Sequence, residues 1–351
     1  MNLRRHLLGG QVIPAHPLAL TAHRTLDERR QRGLTRYYVD AGAGGIAVGV
    51  HTTQFAIRDP AHGLLRPVLE LAAESAREWL ARDATGRPFA LIAGACGDTT
   101  QAVAEAATAA ACGYNAVLLS LGGLSDRTDT QLVDHCRRVA DVLPLVGFYL
   151  QPAVGGRPLG WGFWRELAEI PALVAIKIAP FNRYATIDVV RAVAQAGRDD
   201  VALYTGNDDA IVADLLTEVP YVVGGQRVSR AIVGGLLGQW AVWTRQAVLL
   251  LERITAARQH GQDLRQLLSL GAQLTDANGA IFDVAHAFRG CVPGIHDVLR
   301  RTGQLKGTWC LDVAERLSAG QTAEIDRVIR SYPELTDDAF VSEHLDDWLS
   351  R

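Results

Sequence analysis

The run Leu173-Val174-Ala175-Ile176-Lys177-Ile178-Ala179 is seven residues long and apolar except for one amine. Similar short runs recur along the chain, at Val12 to Ala19 (interrupted by Pro14 and Pro17), Gly45 to Val50, Phe89 to Gly94, Ala116 to Ser120, Leu145 to Leu150, Val201 to Thr205 and Ala231 to Gly235. From Leu91 through Val117, Val146, Val174, Ala202 and Ile232 the steps are 26, 29, 28, 28 and 30 residues. Unbroken apolar runs of this length suit strands buried on both faces, as in parallel sheets covered by helices. The segments between them carry helical periodicity: Thr100 to Cys112, Thr130 to Val142, Asp188 to Ala196 and Ala210 to Thr217. A closed barrel of eight strand–helix units allots roughly 31 residues to each.

The spacing therefore predicts a (β/α)8 TIM barrel over residues 1–258, followed by a C-terminal helical region over 259–351. After the last strand a long apolar helix is expected at Leu236 to Arg258, and in the C-terminal region helices are expected at Leu264 to Leu274, Ala280 to Phe288, Asp297 to Arg301 and Ala323 to Ile329, with a solvated acidic helix over Glu334 to Asp347. The segment Pro220 to Ser229 is surplus to the pattern; it reads either as a lid or, through Tyr221-Val-Val, as the eighth strand. A doubly wound open sheet is the competing architecture, but no glycine-rich phosphate loop follows the first strand.

At 351 residues, 48% hydrophobic and 21% charged, the composition is that of an ordinary globular protein. A net charge of −3 supplies no basic field for nucleic acid. The five cysteines are widely spaced and form no CxxC pair, which speaks against a disulfide framework or a zinc site. The histidines show no metal-ligand spacing, so no metal is expected. No signal-peptide core and no run of about 18 apolar residues is present, so the expected setting is the cytoplasm, without a membrane partner.

Lys177 is one of two lysines among 35 basic residues. The other, Lys306, lies in the polar turn Thr302-Gly-Gln-Leu-Lys306-Gly307. Arginine stays protonated in proteins, whereas lysine can lose its proton and attack a carbonyl. Free lysine is deprotonated in roughly one molecule in 2,500 at neutral pH, and burial raises that fraction by lowering the pKa. The competing reading is a lysine that ends its strand and snorkels or pairs with a carboxylate.

Functional residues of a parallel barrel lie at the C-terminal ends of its strands. There the chain offers Val50-His51-Thr52-Thr53 after the second run, Gly147-Phe148-Tyr149-Leu150-Gln151-Pro152 at the fifth, Lys177 in the sixth, and Tyr204-Thr205-Gly206-Asn207-Asp208 at the seventh. Tyr149 and Lys177 stand one unit apart on adjacent strands, so a phenol beside an amine could carry protons through a carbinolamine. His51 is a candidate acid, base or orienting group. Asp208 and Asp209 read as helix N-caps after a turn at Gly206, with paired carboxylates as the alternative. Gly224-Gly225 and Gly234-Gly235 are weak phosphate-loop signals. Trp161 and Trp164 either line a pocket or pack against the barrel wall.

These pieces resemble the dihydrodipicolinate synthase and N-acetylneuraminate lyase family of class I aldolases. The likeness is carried by Ile176-Lys177, by Phe148-Tyr149-Leu150-Gln151-Pro152, by Thr205-Gly206-Asn207-Asp208, by Gly49-Val-His-Thr-Thr53, by Leu91-Ile-Ala-Gly94 and by Val292-Pro-Gly-Ile-His-Asp-Val-Leu-Arg-Arg-Thr-Gly303. The resemblance implies a 2-oxo acid, usually pyruvate, held as a Schiff base on Lys177, with Tyr149 as proton relay and no cofactor. It implies a substrate carboxylate bound at Thr52 and Thr53, or at His51 in the other register, with Gly206, Asn207 and Ile232 also at the substrate, and assembly as a homodimer or homotetramer.

Two departures qualify it. Val154 occupies the place of the arginine that binds a second carboxylate in dihydrodipicolinate synthases, and Ser120-Leu-Gly-Gly-Leu124 replaces a tyrosine pair. A lysine-biosynthetic role is therefore not expected. Arg157 is a candidate replacement cation, although an exposed loop arginine is the favoured reading. The losses also leave open a barrel that serves as a small-molecule binding or regulatory protein, and, less favoured, an isomerase or phosphate-binding barrel using His51 as base.

Overall fold

The computed structural model describes residues 1–83 and 85–350. Its strands are β1 (Val12–Pro14), β2 (Gly45–Val48), β3 (Ala90–Ala95), β4 (Ala116–Leu119), β5 (Leu145–Leu150), β6 (Leu173–Ala179), β7 (Ala202–Thr205), β8 (Glu218–Val223), β9 (Gln226–Ala231) and β10 (Gly234–Leu237). Eight of them pair in parallel in the order β1-β10-β7-β6-β5-β4-β3-β2. A parallel bridge between Ala15 and Ala47 joins the two ends of that sheet. The result is the (β/α)8 barrel that the strand spacing predicts.

The helices are α1 (Leu3–Leu8), α2 (Glu28–Asp40), α3 (Leu65–Leu80), α4 (Thr99–Ala111), α5 (Asp129–Ala140), α6 (Trp161–Leu167), α7 (Arg183–Gln195), α8 (Ile211–Leu216), α9 (Thr244–His260), α10 (Leu264–Ile281), α11 (Cys291–Arg301), α12 (Gln321–Ser331) and α13 (Asp338–Trp348). None is long and apolar enough to cross a membrane. Alternation along the strands divides the core into two layers. Ile13, Ile92, Leu118, Val146, Phe148, Tyr204 and Leu236 fill the lumen. Ile46, Leu91, Val117, Ile176, Ile178 and Leu203 meet the helices outside. Helix α1 closes the bottom: Leu7 enters the lumen layer, and the Tyr204 hydroxyl donates to its carbonyl at 2.8 Å.

Three expectations need correction. The eighth barrel strand overlaps the expected run Ala231–Gly235 at Gly234 and Gly235 but extends on to Leu237, and Tyr221–Val223 is no part of it. That strand is β10, while β8 and β9 form an antiparallel hairpin outside the barrel. The Gly224-Gly225 pair, at φ of +56° and +79°, is its turn rather than a phosphate loop. The helix expected from Leu236 begins only at Thr244, because the preceding residues complete the sheet. The acidic terminal helix is not simply solvated. Trp348 of α13 is buried, and its indole N–H donates to Asp40 on α2 at 2.6 Å.

One local irregularity matters for the site. Leu145 pairs with Leu173, but Val146 pairs with Ala175, so a bulge inserts Val174 into β6. From there upward the offset between β5 and β6 is one residue greater, and Lys177 pairs with Phe148. Because facing alternates with period two, that single residue decides which β5 side chain shares the lumen with the amine.

Candidate active site

Lys177 points into the lumen two residues before the end of β6, and no hydrogen-bond partner for its amine occurs among the described residues. Nζ lies 4.6 Å from the ring centroid of Phe148. Burial lowers its pKa, and the negative charge of Asp208 opposes that fall. Space for the side chain comes from Gly206, where a Cβ would stand 2.7 Å from Lys177 Cε and 2.7 Å from Ala179 Cβ.

The amine opens into a small cavity of about 70 Å³ that is continuous with solvent at its mouth. His51, Thr52, Gln151 and Asp208 supply its polar surface, and Cys291 reaches it from the start of α11. Burial and the charge of Lys177 hold the His51 imidazole neutral, its pKa pushed down to about 4. Burial raises the Asp208 carboxyl well above the ordinary aspartate range, with Lys177 pulling the other way. Asp208 Oδ1 accepts from the Gln239 amide at 3.1 Å, and Asn278 Nδ2 donates to the Asp208 carbonyl at 2.7 Å. This carboxyl is a wall of the cavity rather than a helix cap; α8 follows Ala210 without a side-chain cap. Burial, together with the Asp208 charge, also keeps the Cys291 thiol protonated.

The second-strand motif forms a short 3₁₀ turn at His51–Thr53. The Thr53 hydroxyl donates to His16 O at 2.7 Å and accepts from the Gly49 amide at 3.0 Å, so Thr53 builds the turn. Thr52 lines the cavity, although its hydroxyl proton goes to Ala15 O at 2.8 Å. As the first residues of a helical turn, His51 and Thr52 have amide N–H groups with no carbonyl partner inside it.

Four of the expected site residues lie elsewhere. Tyr149, next to the lumen-facing Phe148, faces outward: its ring lies 5.1 Å from that of Trp164, and its hydroxyl accepts from the Leu159 amide at 3.1 Å. The bulge at Val174 is the reason, since it pairs Lys177 with Phe148. Asn207 Nδ2 donates to Asp214 at 2.9 Å and Thr186 at 3.1 Å, while its Oδ1 accepts from the Phe181 amide at 3.0 Å, which commits it to the wall. Ile232 is buried in the outer core between the hairpin and β10. Arg157 donates to Leu124 O at 2.7 Å and Arg127 O at 3.1 Å, bracing two loops and presenting no charge to the cavity. Trp164 packs on the barrel wall and Trp161 is partly exposed on α6.

The rest of the cavity wall is apolar, and part of it comes from residues that the sequence does not mark. Phe148, Leu150, Val154, Phe181, Phe282 and Phe288 give it apolar surface. Period-two alternation could identify Phe148 once the bulge is known, but Phe282 and Phe288 arrive from the C-terminal region by tertiary packing. Among the described residues no group of three or more His, Cys, Asp or Glu side chains is placed to hold a metal ion.

The fold and the site together define a (β/α)8 barrel with a buried lysine in its lumen whose amine has no hydrogen-bond partner among the described residues. Solved structures share that architecture. A dihydrodipicolinate synthase from Oceanobacillus iheyensis superposes with a TM-score of 0.74 at 18% identity over 95% of this chain and 99% of its own. An Acinetobacter baumannii dihydrodipicolinate synthase complexed with pyruvate gives 0.73 at 17% identity, over 95% and 99%. An N-acetylneuraminate lyase from Fusobacterium nucleatum gives 0.71 at 15%, over 93% and 99%. No family model and no curated protein matches the sequence. At these identities the likeness establishes the fold.

Proposed function

We propose that the protein is a divergent class I aldolase-type lyase of the dihydrodipicolinate synthase and N-acetylneuraminate lyase kind. In this reading Lys177 forms a Schiff base with pyruvate or a related 2-oxo acid. The observation that carries it is the amine of Lys177: buried, lowered in pKa, without a hydrogen-bond partner among the described residues, and open to a cavity. A structural lysine would be paired or would reach solvent.

The neutral amine attacks the 2-oxo carbon, and loss of water gives a protonated imine. That cation draws electrons from the adjacent carbon, so a carbon–carbon bond there can break or form without an organic cofactor. The amides of His51 and Thr52 receive the substrate carboxylate. Asp208 moves protons in place of a phenol, because its raised pKa lets it both donate and accept near neutrality. The Acinetobacter structure with pyruvate, which shares the fold, is consistent with this substrate class.

Borohydride reduction in the presence of pyruvate tests the reading. A stable mass addition is expected on the peptide containing Lys177 and none in Lys177→Arg. Saturable binding of 2-oxo acids with no adduct would favour the ligand-binding alternative.

A further inference from the structure

Beyond the amine, the cavity changes character. Lys177 lies two residues below the end of β6, whereas Phe181 lies two residues beyond it. At about 3.3 Å per strand residue, the two sit at different depths, the amine below and the ring at the mouth. Leu150 at the end of β5 and Val154 in the turn after it bring apolar side chains, and Phe282 and Phe288 do so from the segment between α10 and α11. The Phe181 and Phe288 rings meet edge to face, with centroids 6.0 Å apart and planes at 81°.

The backbone under these rings is unusual. Phe181 has φ of +50°, Ala287 +54° and Phe288 +65°. Each is a left-handed conformation that costs a non-glycine residue roughly 1–2 kcal/mol. Glycine would relieve that strain but would remove the rings, so the chain accepts strain to set two phenyl groups over the cavity. Charge points the same way. Val154 lines the cavity, Arg157 is turned to the carbonyls of Leu124 and Arg127, and Asp208 is the acidic group on the wall. Among the described residues lining the cavity, an acceptor carrying a carboxylate would meet no cation except the lysine bound to the 2-oxo acid.

We infer that this mouth is the subsite for the second reactant, and that it takes an apolar aldehyde, preferentially an aryl aldehyde, rather than a hydroxylated or carboxylate-bearing one. The inference rests on the Schiff-base reading above. In the synthetic direction the enamine carbon of the Lys177 adduct attacks the aldehyde carbon and forms one carbon–carbon bond. The aldehyde oxygen takes a proton, and water then hydrolyses the imine to release a 4-aryl-4-hydroxy-2-oxo acid. Cleavage runs the same steps backward. No oxidant or reductant enters.

The test gives the intact protein pyruvate with benzaldehyde, glyceraldehyde or succinic semialdehyde and measures kcat/KM for each, with borohydride trapping by pyruvate run in parallel. The expected result is a pyruvate adduct together with a kcat/KM for benzaldehyde at least tenfold above both others. Phe288→Asn should shrink that preference at least fivefold. An adduct without condensation, an equal or reversed preference, or a preference unchanged in Phe288→Asn overturns the aryl subsite and leaves the Schiff-base reading standing. No adduct at all overturns both.

Discussion

Lys177 and Phe148 are register partners on β6 and β5, and the amine lies 4.6 Å from the centre of the phenyl ring. This pairing puts an aromatic face where a phenol would otherwise stand, and it moves Tyr149 to the outside of the barrel. A ring face favours a cation by about 0.5–2 kcal/mol, so Phe148 steadies the protonated amine and, in the proposed reaction, would steady the iminium.

Tyr149→Phe should therefore affect stability more than chemistry. The substitution removes the acceptor of the Leu159 amide, which is buried at 3.1 Å from the hydroxyl. Leaving that donor unpaired costs about 1–3 kcal/mol. The expected outcome is a lower Tm with the rate of pyruvate trapping within about threefold of the parent. A large loss of trapping with an unchanged Tm would place the hydroxyl in the reaction.

Asp208→Asn separates the electrostatic effect of that carboxyl on Lys177 from the proton-relay role proposed for it. Its charge raises the Lys177 pKa, so its removal makes the amine easier to deprotonate. The pH profile of pyruvate trapping should shift to lower pH, while turnover falls by about 10²–10⁴-fold as the proton relay is lost. In the parent, trapping should rise with pH through a midpoint well below that of free lysine, because burial lowers the Lys177 pKa. A profile displaced to higher pH in Asp208→Asn would contradict the assigned electrostatics.

Gly206→Ala tests the path of the lysine side chain. The added methyl would meet Lys177 Cε and Ala179 Cβ, each at 2.7 Å. Overpacking of this kind costs about 1–3 kcal/mol, and the amine must move to relieve it. Trapping should slow at least tenfold while far-UV circular dichroism stays that of the parent. Unimpaired trapping would show that the amine reaches the cavity by another route.

Trp348→Ala should unfasten the C-terminal end from the barrel. Trp348 is 1% exposed, its N–H donates to Asp40, and Arg36 Nη1 donates to its carbonyl at 2.7 Å. Loss of a buried tryptophan costs about 3–5 kcal/mol. Thermal unfolding should report that loss, and a change under 1 kcal/mol would mean that α13 is not held through this residue.

The barrel is legible in the sequence because strand length and helix length fix the step between apolar runs, and those runs are buried on both faces. The lysine is legible because an amine in such a run must be solvated, paired or used. The β5–β6 pairing is not, since one inserted residue at Val174 changes which side chains share a face without changing composition. Asp208 carries a carboxylate after a glycine turn, which reads equally well as a helix cap; only the fold of Gln239 and Asn278 around it sets it in the wall. Phe282 and Phe288 come from a part of the chain whose helical periodicity hides the break after Ile281, where Asp283, Ala287 and Phe288 adopt positive φ. Asn207 fits the resemblance by position and Arg157 by charge, but carbonyls and side chains of the scaffold claim their donors.

The central claim is that the strand-six nitrogen is a nucleophile toward 2-oxo acids. The most direct measurement is a crystal structure of the protein soaked with pyruvate. The account predicts continuous density from Lys177 Nζ to carbon 2 of the ligand, with the carboxylate on the amides of His51 and Thr52 and the methyl carbon toward Asp208. Pyruvate bound without a covalent link, or an adduct on Lys306 while Lys177 stays unmodified, would contradict it.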